Sequence, residues 1–135
     1  MNIYVRRDYK TVKSAVEAAN DGDIIVIPSG IYKEKIKIDL VCLIKPQFEV
    51  GKQNLNKNGV VKDIKIHKKI LESIIEQINK EGFEILNLDY SPIKGPAGNI
   101  EYLLYIEKNE NNLLDSFKLK NEISKITEEA FKKLK

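Results

Sequence analysis

"SPIKGPAGNIEYLLYI", residues 91–106, decides how the chain is read. A loop holding two Pro and two Gly runs into a stretch that is almost wholly apolar or aromatic. Pro and Gly punctuate a turn, and the run after it predicts a strand over residues 99–108. "FEILNLDY", residues 83–90, predicts the strand before it, so the two form an antiparallel hairpin with a wide loop. The exception in the apolar run is Glu101, a carboxylate at the head of a strand bound for an interior, beside a loop with one cation, Lys94.

Outward from the hairpin, "DIKIHKKILESIIEQINKEG", residues 63–82, predicts a helix. Asp63 is its cap, Ile66, Ile70, Leu71, Ile74, Ile75 and Ile78 form one apolar stripe, and Gly82 sits at the stop. Before it comes a long polar loop, "QFEVGKQNLNKNGVVKD", of a length that is often functional. "LVCLIKP", residues 40–46, is a fully apolar strand ended by Lys45 and Pro46. Residues 40–108 therefore read strand, loop, helix, strand, loop, strand, the back end of an open α/β sheet. Ligands of such sheets bind outside the carboxyl ends of the parallel strands. Lys45 lies at such an end. An antiparallel return brings Glu101 to the same edge, although 56 positions separate the two.

The front predicts a short strand at "NIYVR", a helix over "DYKTVKSAVEAAND" capped by Asp8 or Thr11, and a turn at "DGD". "IIVIP", residues 24–28, reads as a buried strand, and "KEKIKID", residues 33–39, as a strand with one wet face. In the tail, Ile123, Ile126, Ala130, Phe131 and Leu134 share a helical face that docks on the sheet. The fold class is α/β: a partial Rossmann-like sheet (strand–helix–strand–strand, last strand antiparallel), preceded by a short β-α-β-β segment and closed by a C-terminal helix. The divisions fall at residues 1–39, 40–108 and 109–135.

Composition narrows the functional classes. The 135 residues are 42% hydrophobic and 32% charged, as in one ordinary globular domain. A net charge of +3 makes a weak overall field, which does not by itself announce a nucleic-acid binder. One Cys, Cys42, excludes an intramolecular disulfide and an all-Cys metal site, and within "LVCLI" it reads as a small buried hydrophobe. The opening "MNIYVRRDYK" lacks a signal-peptide core, and no apolar run approaches a membrane span. The expectation is a cytoplasmic protein with no membrane contact and no metal.

"LIKPQFEVGK", "NKNGVVKD", "IHKKILESII" and "SPIKGPAGNIEYLLYI" together resemble the closing half of the TlyA family, FtsJ-like ribosomal RNA 2′-O-methyltransferases, some of which are also called hemolysins. The resemblance runs over residues 40–108 in the family's order. Ile64 departs from it, since the family usually places Pro after the Asp; this removes only a favourable helix start. The resemblance implies methyl transfer from S-adenosylmethionine to a ribose 2′-hydroxyl by a Lys-Asp-Lys-Glu tetrad. Lys45 matches its second Lys and Glu101 its Glu, as catalytic residues. A ribose hydroxyl is a poor nucleophile near neutral pH. A nearby Lys accepts its proton or stabilises the developing alkoxide, and a carboxylate orients that ammonium. Lys52, Lys57, Lys62 and Lys94 in the flanking loops are candidates for RNA phosphate contacts.

The family's glycine-rich cofactor loop, first Lys and Asp precede the matching segment, and no strand–GxG–helix pattern stands in the first 39 residues. Asp39 reads as strand lead-in, and no residue is assigned to cofactor binding. The expectation is a truncated family member that neither binds S-adenosylmethionine nor methylates alone. Residues 9–38 resemble instead the first coil of pectinesterase and pectin-lyase-like β-helix proteins, over a shorter pattern of common turn residues. Two alternatives stand: a noncatalytic RNA-binding or assembly module, with a homo-oligomer through an edge strand as one form, and a carbohydrate-related β-helix fragment. Each feature also has a plainer reading. Lys45 and Glu101 form a strand-end salt bridge, "GPAG" is a wide turn, His67 is a solvated helix-surface side chain, and the tail lysines are a solvated face.

Overall fold

The computed structural model describes residues 1–34 and 39–134. The chain divides into two compact units, Met1–Lys37 and Ile38–Lys135. Each has its own core.

The first unit is a small β-α-β. Strands β1 (Asn2–Tyr4) and β2 (Ile24–Val26) pair in parallel, with Asn2 opposite Ile24 and Tyr4 opposite Val26. Helix α1 (Val12–Ala18) joins them. Of the two proposed caps, Thr11 acts: its side chain accepts from the Ser14 amide, and the Ser14 hydroxyl accepts from the Thr11 amide. Ile3, Val5, Val12 and Ala15 form the core. Strand β2 is shorter and wetter than its β-branched run suggests. A three-residue strand against one neighbour has little to cover it, and Ile24 and Ile27 are exposed. Most of the strand expected over residues 33–39 lies outside the described residues. Lys33 and Glu34 are not in a strand, and Asp39 opens the next one.

The second unit holds a three-stranded sheet with two helices on one face. Strand β3 (Asp39–Ile44), helix α2 (Pro46–Glu49), helix α3 (Ile64–Lys80), strands β4 (Phe83–Tyr90) and β5 (Tyr102–Lys108), and helix α4 (Ser116–Lys133) follow in order. The strand order is β3-β5-β4, with β5 antiparallel to both neighbours. Strands β3 and β4 thus run parallel, and β5 returns between them. The sheet is the partial Rossmann-like arrangement expected from the sequence, with the antiparallel hairpin in place.

Asp63 starts α3 by accepting from the Lys65 amide at 2.8 Å, and Gly82, at a φ of 89°, ends it. The stripe buries Ile70, Leu71 and Ile75 against Ile44, Leu88, Tyr102, Leu104 and Ile106 of the sheet. Helix α4 packs on α3 and β4 and buries Leu119, Ile123, Thr127 and Ala130. Part of the expected polar loop is ordered as α2 and a 3-10 turn at Lys52–Asn54.

Two expectations need correction. Strand β3 is apolar at every position from Leu40 to Ile44, yet it is buried on one face only. Among the described residues it is an edge strand, its burial alternates, and Val41 and Leu43 are 68% and 47% exposed. His67 is not a solvated surface side chain: it is fully buried. It lies three and four residues before Ile70 and Leu71, so helical phase carries it onto the apolar face whatever the charge of its sequence neighbours.

Candidate functional site at the carboxyl edge of β3

Register builds the site. The last β3–β5 pair is Ile44 opposite Tyr102. Lys45 and Glu101 are the next positions outward, so the two sequence candidates share one rim, at the end of β3 and the start of β5. Lys45 has extended backbone and stands at the cap position of α2, with Pro46 as first helical residue. Its Nζ lies 5.7 Å from the ring centre of Phe48, within cation–π range. Glu101 is buried, at 6% exposure. Its Oε2 accepts from Gln47 Nε2 at 2.8 Å, and its backbone carbonyl accepts from the Ser91 amide at 2.8 Å. Among the described residues no ion pair joins Lys45 to Glu101, so a strand-end salt bridge does not account for the two.

The Pro/Gly loop closes over this carboxylate. A methyl group at Gly95 would collide with Glu101 Oε2. The Gly95 amide donates to the Asn99 carbonyl at 2.8 Å, and Ala97 and Gly98 turn the chain with φ of 63° and 88°.

Behind the rim lies a polar lattice that the sequence did not disclose. Asn99 is buried. Its Oδ1 accepts from the Val61 amide at 3.1 Å and its Nδ2 donates to the Gly59 carbonyl at 3.0 Å. His67 Nε2 lies 2.8 Å from the Val61 carbonyl and Nδ1 lies 2.9 Å from the Tyr102 hydroxyl. A carbonyl only accepts, so Nε2 carries the hydrogen and Nδ1 accepts from Tyr102. Burial holds the His67 pKa below its ordinary value and pushes that of Tyr102 up. These bonds tie the loop before α3 to the start of β5, and so fix the backbone on both sides of Glu101. Of these groups only His67 had a signal, its phase with Ile70 and Leu71. Asn99 and Gln47 read as loop polarity, because their partners are 38 and 54 residues away.

The four lysines proposed for RNA divide into two sets. All are exposed. Lys62 and Lys94 line one open groove of about 270 Å³ with Val60, Ile100 and Phe131, whereas Lys52 and Lys57 do not line it. None of the four is in an ion pair among the described residues. Among the described residues no group of three or more His, Cys, Asp or Glu is placed to hold a metal ion, and no helix is long and apolar enough to cross a membrane.

The chain is similar to known proteins in sequence and in fold. The chain is 40% identical over 101 residues to YqxC of Bacillus subtilis strain 168, which carries the name of an rRNA methyltransferase; the match covers 72% of this chain and 34% of YqxC. It is 29% identical over 105 residues to the 16S/23S rRNA (cytidine-2′-O)-methyltransferase TlyA of Mycobacterium tuberculosis, covering 78% of this chain and 39% of TlyA. A solved structure from Streptococcus thermophilus that carries the name hemolysin superposes with a TM-score of 0.60 at 37% identity, over 72% of this chain and 35% of that one. The chain thus spans little more than a third of the length of these relatives. Residues 11–108 match the FtsJ-like methyltransferase family, so the match takes in most of the segment that resembles a β-helix coil. By that match, which takes in most of the chain, the chain belongs to the FtsJ-like methyltransferase family.

Proposed function

We propose that the chain supplies the ribose-facing rim of an RNA 2′-O-methyltransferase site and does not hold S-adenosylmethionine with its own residues. The observation that carries this is the register of β3 on β5, which brings Lys45 and Glu101 together at the carboxyl edge of the sheet. Lys45 is the cation that stabilises negative charge on the ribose oxygen as its proton leaves, and Glu101 is the carboxylate that orients the ammonium and the hydroxyl. Lys62 and Lys94, and beyond the groove Lys52 and Lys57, hold the phosphates and position the strand without reading its sequence. A ribosomal RNA substrate places this work in the cytoplasm.

The cofactor reading rests on the first unit. Its turn from β1 to α1 holds no glycine. The first amides of α1, which in a cofactor-binding turn face the ligand, are taken by Glu34: its carboxylate accepts from Val12 and Lys13, each at 2.9 Å. The described residues do not fit S-adenosylmethionine there.

Two titrations test the proposal. Calorimetry with S-adenosylmethionine gives no binding, and a micromolar affinity overturns the cofactor statement. A single-stranded ribosomal RNA oligonucleotide binds the chain more tightly than its 2′-deoxy counterpart, and Lys45→Ala or Glu101→Gln removes that preference. The second reading, a noncatalytic RNA-binding module, is favoured by the groove between Lys62 and Lys94. It wins if RNA binding survives Lys45→Ala and Glu101→Ala but is lost in the Lys62→Ala, Lys94→Ala double variant. A carbohydrate-related role requires binding to pectin-like oligosaccharides, and none is expected.

A further inference from the structure

Glu101 is the only buried carboxylate among the described residues, and no ammonium or guanidinium stands within ion-pair distance of it. A charge removed from water needs compensating donors. The donor here is a single amide, Gln47 Nε2, from the first turn of α2. The other end of that amide is anomalous. Gln47 Oε1 is the one buried side-chain polar atom among the described residues with no hydrogen-bond partner. Turning the amide over would not relieve it, because Oε1 would then face a carboxylate oxygen, acceptor against acceptor. The orientation is therefore fixed by Glu101.

The loop completes a clamp. Gly95 lies against Glu101 Oε2, so close that a Cβ there would collide with it. Oε2 is thus held between the Gln47 amide and the bare Cα of Gly95, while Oε1 accepts no hydrogen bond among the described residues.

We infer that Gln47 is a positioning residue that holds one oxygen of Glu101 so that the other is presented, as an acceptor, to the hydroxyl edge of a ribose at the rim beside Lys45. The inference rests on the proposed reading of that rim. Gln47 acts through Glu101 and does not touch RNA. Its role is to remove the rotational freedom that a free carboxylate has, so the acceptor is in place before the sugar arrives.

The test uses the full chain and Gln47→Met, which keeps length and volume and loses the donor, with Glu101→Gln as comparison. In the absence of RNA, the Glu101 side-chain carboxyl carbon shifts in the NMR spectrum of Gln47→Met, and the Gly95 amide exchanges with solvent about tenfold faster or more. With RNA, Gln47→Met loses about tenfold in affinity for a single-stranded ribosomal oligonucleotide and keeps its affinity for the 2′-deoxy counterpart. A merely structural role would weaken both alike. An unmoved Glu101 carboxyl resonance overturns the inference. So does a 2′-hydroxyl preference that persists in Gln47→Met while Glu101→Gln abolishes it. A wild-type chain that binds both sugars equally overturns the reading of the rim and the ribose half of the inference with it; the clamp on Glu101 is then judged by the RNA-free spectra alone.

Discussion

His67 shows how much a single side chain controls here. Both ring nitrogens are engaged, and Phe131 packs edge-on against the ring at 4.8 Å between centroids. Burial keeps the folded-state pKa below the ordinary 6.5. The unfolded chain therefore takes up a proton before the native one does. Stability from this site is complete above about pH 6.5, declines as the pH drops through that value, and levels off below the lower folded pKa. Urea melts between pH 8 and pH 5 show that decline, and His67→Phe flattens it. Removing the donor has a related effect. Tyr102→Phe leaves Nδ1 buried without a partner and lowers stability by about 1–3 kcal/mol, read from the same melts at pH 8. At the rim the expectation is the reverse. The Lys45 side chain makes no hydrogen bond or ion pair among the described residues, so Lys45→Ala shifts the melt by no more than about 0.5 kcal/mol. Residue identity alone misleads in such cases. Lysines beside His67 suggest water, whereas its phase with Ile70 and Leu71 states the opposite, and Glu101 looks misplaced at the head of an apolar run until Gln47 is seen across the sheet edge.

The elements were more legible than the residues, because hydrophobic period and caps are local. Helix α3 shows this best: Asp63, the isoleucine stripe and Gly82 mark its start, face and end. Leu71 lies at the centre of that face with no exposure, and Leu71→Ala costs about 2–5 kcal/mol in a denaturant melt. Strand β3 shows where local reading stops. Its five successive apolar residues fit a strand covered on both faces, but coverage depends on what the rest of the fold brings. Leu43→Thr is therefore expected to change stability by less than about 0.5 kcal/mol, although Leu43 and Ile44 are neighbours in an unbroken apolar run. A loss of several kcal/mol would show that this face is covered. Loop contacts were the least legible, since Asn99 reaches back to Val61 and Gly59 across a helix and a strand.

For the whole molecule, the two units have separate cores. A fragment spanning residues 39–135 is expected to unfold in one cooperative transition, with helix content by circular dichroism matching α3 and α4. Among the described residues of the second unit the outer side of β3 pairs with no strand, and an unpaired edge invites a strand from another copy. Sedimentation that grows heavier with concentration in the wild-type chain, and ceases to in Val41→Lys, checks this. Because β3 and β4 end where β5 begins, the two long connections, 45–63 and 91–101, meet at one brink, while the buried apolar side chains of the sheet pack against the helices behind it. On the proposed reading of the rim, the two segments are grafts exchangeable as a pair: transplanting both from a relative is expected to carry over its preference for a 2′-hydroxyl and leave the scaffold's melting unchanged.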